Sequence, residues 1–452
     1  MPQTTDTVVA TGLAAPERRV TAGYARYAVT LLMLVYVLNF IDRQVLSILA
    51  EPIKRDLGLA DWQIGAMTGL AFAALYCFLG IPIARIAERG NRPWIIAASL
   101  VVWSGFTVVC GFANSFVHLV LARLGVGVGE AGCTPPALSL ITDYAAPNRR
   151  ASAIAFYTAG APLGGLLGMM IGGLVADKYG WRAAFFAVGA PGLILAPILL
   201  LTLTEPRRWL KQTMAAKAAA AANYDFGATL KMLWRKPTYR LVVIAATLKA
   251  FIQYGTSAFL ASFFFRNHAA ELAGLGEGFG LKAAGFLGIA LGLSVGVTGV
   301  AGTMLGGVLA DRLGAKDSSR QTLVPAIGIL ISTPFFLWAL FTPSAVVAMV
   351  ILLLPGVLNA LYAGPSFAIV QGLVPPEMRA TATAIMLFII NLCALGLGPL
   401  CIGILSDILS NGFGLGDAAG VKWSLATFVL LGIPAGLLFL AAGKTVAQDT
   451  VS

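Results

Sequence analysis

Apolar runs of about 20 residues or more recur along the whole chain. They lie near 26–56, 62–85, 93–113, 116–144, 151–176, 182–203, 237–264, 282–310, 321–342, 344–373, 380–409 and 421–443. Each is long enough to cross the hydrocarbon core of a bilayer as a helix. In lipid the backbone must satisfy its own hydrogen bonds, which a helix does within one segment. Composition agrees: of 452 residues, 58% are hydrophobic and 11% charged, with mean hydropathy +0.85. A soluble domain carries roughly 25% charged residues, and a large soluble helical protein would need many more polar surface positions. The expected fold class is an all-α polytopic membrane protein with about twelve transmembrane helices.

The basic residues give an orientation. With the N-terminus inside, cytoplasmic segments hold 21 of the 31 Lys and Arg, outer segments seven, and the spans the remaining three, Arg43, Arg123 and Lys249. This bias obeys the positive-inside rule and predicts both termini in the cytoplasm. The net charge of +11 thus reads as a topology signal with contact to anionic lipid, rather than as a nucleic-acid surface. The polar start, with Glu17, Arg18 and Arg19 before a first run too long for a signal h-region, predicts no cleavable signal peptide. The five cysteines fall in apolar runs without metal spacing and read as packing residues. Expected boundaries are a cytoplasmic tail over 1–25, a six-helix bundle over 26–204, a linker with a surface helix over 205–236, a second bundle over 237–443 and a tail over 444–452. The surface helix is expected in the Ala-rich Met214 to Ala222 stretch.

The two halves repeat. Pro136, Pro147, Arg150 and Ala151 match Pro365, Pro376, Arg379 and Ala380, each 229 residues later. The loop Ala84 to Arg92 echoes Gly307 to Lys316, and Gly173 with Asp177 echoes Gly403 with Asp407. Parallel six-helix repeats imply a pseudo-two-fold axis along the membrane normal, with a ligand site between the halves near mid-depth.

These residues resemble the major facilitator superfamily over nearly the whole chain. Gly307 to Lys316 is a close copy of its loop signature G-x-L-A-D-R-x-G-R-K. The first copy departs from it, with Ala84 for the Gly and Glu88 for the Asp. Arg123, Gly127 and Gly129 resemble the helix-four signature. Pro162-Leu163-Gly164-Gly165 partly resembles the helix-five signature linked with export, one residue short in spacing. Asn39-Phe40-Ile41-Asp42-Arg43, Gly127-Val128-Gly129-Glu130-Ala131 and Glu88-Arg89-Gly90-Asn91-Arg92 look like the bacterial branch of the Spinster family. The resemblance implies the major facilitator fold of two pseudo-symmetric six-helix bundles and secondary transport by alternating access. Animal members of that family are similar to carriers of lysolipids and phosphorylated sphingoid bases, which implies an amphiphilic substrate with an anionic head group.

An Asp and an Arg inside an apolar run are costly, and such residues line cavities, pair, or handle ligand. At helical spacing Tyr36, Asn39 and Arg43 share one face, with Asp42 at its edge. Arg123, Gly127, Glu130 and Thr134 share a face of the fourth run. Glu130 lies roughly 21 Å from the outer end at the helical rise, near the depth of Arg43. The expectation is one coupled cluster of Asp42, Arg43 and Glu130. Arg43 suits an anionic head group through its planar fork. Glu130 suits a proton acceptor, since burial and a neighbouring Arg act oppositely on a carboxylate; the alternative is a static ion pair between two helices. Arg123 either tunes Glu130 or ties helices together. Lys249, beside Gln253 and Tyr254, and Tyr362 are candidates from the second half; Asn359 and Asn391 read as polar glue between helices. Glu88, Arg89, Asp311 and Arg312 are the expected cytoplasmic gate.

The resulting expectation is a proton-coupled carrier of an anionic amphiphile in a bacterial inner membrane. It works as a monomer among membrane lipids, without cofactor, metal or nucleic acid. A symporter of small organic anions or sugar acids is the alternative, and a membrane ligand sensor that does not transport is another, disfavoured because the short termini carry no signalling domain. The absence of a Walker sequence argues against self-driven ATP hydrolysis. With neither a nucleophile–base pair nor a metal cluster, the sequence reads as no enzyme.

Overall fold

The computed structural model describes residues 21–146, 149–206, 226–314, 318–375 and 378–450. Among them twelve helices are long and apolar enough to cross a membrane: α1 (Ala22–Leu57), α2 (Asp61–Ala87), α3 (Arg92–Cys110), α4 (Phe116–Tyr144), α5 (Ser152–Tyr179), α6 (Trp181–Thr202), α7 (Pro237–Asn267), α8 (Ala283–Gly314), α9 (Ser319–Phe341), α10 (Ala345–Gly372), α11 (Thr381–Gly412) and α12 (Gly416–Gly443). There is no strand among the described residues. The stretch expected to form a surface helix, Met214 to Ala222, lies outside them. A helix does form just beyond it, over Phe226–Arg235, with Leu233 buried.

The chain crosses an even number of times, so both ends share one face, here the termini face. Tyr24 at the start of α1 donates to the carbonyl of Thr202 at the end of α6 (2.9 Å), and Thr238 N–H at the start of α7 donates to Asp449 beyond α12 (2.9 Å). Arg92 closes the first bundle there. Buried, it donates to Ser139 (2.8 Å), to Asp143 (2.7 Å) and to Glu205 through Nε (3.1 Å), tying α3, α4 and the chain after α6. Glu205, expected to open the linker, is therefore docked on the bundle.

The 229-residue repeat becomes structural at one detail. α4 breaks over Ala131 to Cys133 and resumes helically at Thr134, while α10 breaks at Leu361 and Tyr362 and resumes at Ala363. Thr134 and Ala363 stand 229 apart, as do the helix starts at Arg150 and Arg379. Each break precedes a proline in the repeat, Pro136 or Pro365, which has no N–H to offer the preceding turn. The residue before the first break is Glu130. Its mate by the same offset is Asn359, which accepts from Ser332 (3.1 Å).

Glycines let the helices touch backbone to backbone. A Cβ on Gly168 would lie 2.7 Å from the Ile41 carbonyl of α1, and one on Gly292 of α8 would lie 2.7 Å from the Leu166 carbonyl of α5. Both contacts are too close for any side chain, so α5 is pressed between α1 of its own half and α8 of the other. This is the packing expected where no hydrophobic drive distinguishes protein from lipid.

The apolar core is continuous across the two halves on the far face, where Val45 and Ile48 of α1, Phe259 and Phe263 of α7 and Val421 of α12 join one cluster. Toward the termini face it divides. One cluster, around Ala28, Leu140 and Leu199, belongs mostly to the first half. The other, around Tyr239, Val370 and Phe439, belongs to the second. The halves thus meet on the far face and separate toward the termini face.

Between α7 and α8 a short helix, Ala269–Glu277, lies on the far face. Glu271 accepts from Ser344 Oγ (2.8 Å) and from the N–H groups of Ala345 (2.6 Å) and Val346 (3.4 Å), capping α10. Partial burial pushes its carboxyl upward, but these bonds outweigh it and hold the group below 4.5. A depressed folded-state value stabilises above the ordinary glutamate range and is lost as pH falls through it. Lowering pH from neutrality to below about 4 should therefore reduce the apparent melting temperature of the wild type more than that of Glu271→Gln. The difference should be about 1 kcal/mol, the size of a lost cap. His268, at the start of this helix, is buried against Phe263 and Phe264.

Candidate functional site

Four charged side chains meet at mid-depth in the first half. α1 carries Asp42 and Arg43 one residue apart, so they point about 100° apart around the helix. Asp42 turns to α3 and α4: Thr107 donates to one carboxylate oxygen, and Arg123 Nη1 donates to the other at 2.9 Å. Arg43 turns to the middle of α4, where its Nε donates to Glu130 Oε2 at 2.6 Å. The Phe72 ring of α2 separates the pairs, 4.8 Å from the Arg43 guanidinium and 5.4 Å from that of Arg123. Phe40 (5.3 Å) and Tyr76 (4.8 Å) complete an aromatic collar on Arg43, a favourable setting for a planar cation.

Glycines set this geometry. A Cβ on Gly127 would lie 2.5 Å from the Phe72 carbonyl, and one on Gly129 would lie 2.5 Å from the Trp103 N–H nitrogen. Their absence brings α4 against α2 and α3 and delivers Glu130, at the break in α4, to α1.

The pairs differ in access. Arg123 and Asp42 side chains are 2% and 4% exposed; Arg43 is 16% exposed, while its partner Glu130 is at 0%. Glu130 Oε1 is buried without a hydrogen-bond partner. Asp42 is thus held by Arg123 and Thr107, while Arg43 keeps a partly exposed side chain. Asp42, Arg43 and Glu130, expected in one cluster, lie in two ion pairs on either side of the Phe72 ring, Asp42 with Arg123 and Arg43 with Glu130. Arg123, for which tuning Glu130 and tying helices together were both weighed, has Asp42 as its direct ion-pair partner.

Tyr36 stacks on Tyr157 at 4.4 Å, and Asn39 is buried with both amide atoms unpartnered. On the second half Lys249 is buried, donates to Gln253 Oε1 at 3.2 Å and lies 5.1 Å from the Tyr362 ring. The side chains of Glu88, Arg89 and Asp311, expected in the gate, lie outside the described residues, and Arg312 is exposed.

The far face carries a network that sequence reading counted only as loop charges. Arg266 of α7 grips Asp61 of α2 with two bonds (2.8 and 2.7 Å) and Glu51 of α1 with a third (2.8 Å). Lys54 bridges Asp61 (2.8 Å) and Asp417 (3.0 Å). Asp407 of α11 accepts from the N–H groups of Asp61 and Trp62 (3.0 and 2.7 Å), capping α2. In the other half-to-half seam Asp177 of α5 accepts from the Lys282 N–H before α8 (2.8 Å). The signal was present: Gly173 and Asp177 echo Gly403 and Asp407. Each Asp closes a helix start across the pseudo-two-fold, and Gly173 and Gly403 allow the backbone approach beside it.

The family model of the Major Facilitator Superfamily matches residues 32–399. The chain belongs to the major facilitator superfamily. Within it the chain is Spinster-like. It is 35% identical over 387 residues to an MFS-type efflux pump of Mycolicibacterium smegmatis, covering 86% of each chain. It is 26% identical to the rat Protein spinster homolog 1, covering 94% of this chain and 82% of that one. The crystal structure of a bacterial homolog to the human lysosomal transporter Spinster, inward-facing and unoccupied, superposes with TM-score 0.82 at 31% identity, over 96% of this chain and 99% of that one. A D-xylose–proton symporter shares the fold alone, with TM-score 0.69 at 16% identity. The protein is therefore a multi-pass membrane transporter of this superfamily.

Proposed function

We propose that the protein is a proton-coupled secondary transporter of an amphiphilic, lysolipid-like molecule with an anionic head group, working by alternating access. It sits as a monomer in a bacterial inner membrane among its lipids, with the termini face in the cytoplasm. The observation that carries this reading is the mid-depth Arg43–Glu130 pair, whose arginine is accessible while its carboxylate is buried. Protonating Glu130 removes the charge that holds Arg43 Nε. The guanidinium is then free for a carboxylate or phosphate, which its fork binds bidentately. Losing the substrate returns Arg43 to Glu130 and expels the proton. The substrate anion and the Glu130 carboxylate thus compete for one arginine, so substrate and proton are taken up together, and the face toward which the halves open decides where both are exchanged.

The far-face network holds the halves in the arrangement open to the termini face. The reverse arrangement needs a latch on the cytoplasmic side, the role proposed for Glu88, Arg89, Asp311 and Arg312. An amphiphile is favoured over a sugar acid by the aromatic collar of Phe40, Phe72 and Tyr76 around Arg43.

The test is a proteoliposome with a lumenal pH dye. Adding an anionic lysolipid should change lumenal pH in the presence of wild type. Arg43→Ala should abolish the change and weaken binding by at least about tenfold, the worth of one charge-assisted bond. Unchanged affinity in Arg43→Ala would remove the head-group role.

A further inference from the structure

Every buried Asp, Glu or Arg among the described residues has an opposite charge within ion-pair distance. Asp42 has Arg123, Glu130 has Arg43, Glu51 and Asp61 share Arg266, and Arg92 has Asp143 and Glu205. Lys249 is the buried charge without one. Its Nζ has three protons to place; Gln253 Oε1 takes one at 3.2 Å, and the Tyr362 ring lies 5.1 Å away. A lysine at mid-depth in lipid that only packed helices together would be expected to bring a counter-ion with it.

Lys249 stands on a face of α7 that meets the first half two turns further on. Lys249, Gln253 and Ser257 follow one another at four-residue spacing and so share a face of α7. Ser257, at the far end of that row, donates to Gln44 of α1 at 3.4 Å. Gln253, between them, is exposed although it stands in the middle of the helix. Tyr254 beside it borders both apolar clusters, the first-half one that Tyr76 also borders and the second-half one that Tyr362 also borders. Tyr76 lies under Arg43 and Tyr362 under Lys249, so the two cations bracket a row of three tyrosines that crosses from one half to the other.

We propose that Lys249, with Gln253 beside it, is a second anion-binding point, and that the bound substrate supplies its missing counter-charge through a phosphate, sulfate or carboxylate group. This rests on the transport reading and deepens it. Arg43 is neutralised by Glu130 whenever substrate is absent, whereas Lys249 has no carboxylate within ion-pair distance among the described residues. A neutral substrate would leave Lys249 uncompensated; an anion at this point closes the charge balance between the halves. The anionic group therefore defines the substrate class, and the site discriminates against the same molecule without it.

The experiment uses the full chain in phosphatidylcholine nanodiscs, with two matched pairs of probes: dodecyl phosphate against dodecanol, and glucuronate against glucose. At least one anionic probe should raise the apparent melting temperature of the wild type beyond its neutral partner. Lys249→Met should lose that preference by at least about tenfold in affinity, and Lys249→Arg should keep it. Without any probe, Lys249→Met should be at least as stable as the wild type, because it removes an uncompensated buried charge. Repeating the titration with phosphatidylglycerol in the disc identifies the source. An unchanged preference supports a free substrate, and a preference erased in the wild type by that lipid supports the same anion site filled by a lipid head group. Equal shifts from neutral partners, no shift from any probe, a preference kept by Lys249→Met, or a less stable Lys249→Met would each overturn the proposal. If Arg43→Ala weakens binding while Lys249→Met does not, the transport reading stands without this second point. Binding that needs Lys249 but produces no proton movement in proteoliposomes has the opposite meaning.

Discussion

Replacing Arg266 by Met should swing the halves apart on the far face. This guanidinium makes three bonds to carboxylates on α1 and α2 while itself standing on α7, and its side chain is 5% exposed. Removing it leaves Glu51 to Arg55 alone and Asp61 to Lys54 and Ser406. Breaking one member of a buried charge network costs about 3 kcal/mol or more. That is enough to move a two-state population by roughly a hundredfold. Spin labels at Phe112 and Phe413, both exposed and on opposite halves of the far face, should report a longer distance in Arg266→Met than in the wild type. The same variant should slow turnover without abolishing binding, since the latch lies far from Arg43. An unchanged distance distribution would mean that the glycine-mediated seams, not the charges, hold this face shut.

The second large effect concerns Arg123. Arg123→Met should destabilise the protein by about 3 kcal/mol, because it leaves the Asp42 carboxyl buried with Thr107 as its remaining partner. Combining it with Asp42→Asn should recover most of that loss, giving a coupling energy well outside additivity. The pair made by Arg43 and Glu130 should behave differently: Arg43→Met should cost less stability, since its side chain is the more exposed, and should mainly alter binding. The contrast separates a pair that fixes α1, α3 and α4 together from one that works. If Asp42→Asn alone abolished the substrate-induced pH change while leaving the fold intact, Asp42 would belong to the working pair after all.

The sequence made the twelve spans legible because lipid demands one helix for each long apolar run. It also carried the repeat, and the 229-residue offset locates the matched breaks in α4 and α10. Depth counting placed Glu130 level with Arg43. What it could not resolve was partner choice. Arg123 and Glu130 stand two turns apart on one face of α4, so both were in reach of α1. The 100° between Asp42 and Arg43 decides which meets which, and that depends on how Gly127 and Gly129 roll α4 onto its neighbours. Thr107, Phe72 and Tyr76 were not singled out for the same reason: a threonine and two aromatics in apolar runs look like any packing residue. The far-face network escaped because Lys54, Arg266 and Asp417 sit near span ends, where charge is ordinary. Only the echo between Asp177 and Asp407 hinted at two symmetric closures.

The central claim is that Glu130 carries the proton, and one comparison tests it most directly. Wild type and Glu130→Gln are reconstituted in proteoliposomes, and accumulation of an anionic lysolipid is measured with and without an imposed pH gradient, alongside exchange with no gradient. We expect Glu130→Gln to retain exchange, because Arg43 is already released for the head group, and to lose all response to the gradient. A Glu130→Gln protein whose accumulation still follows the pH gradient would contradict the account.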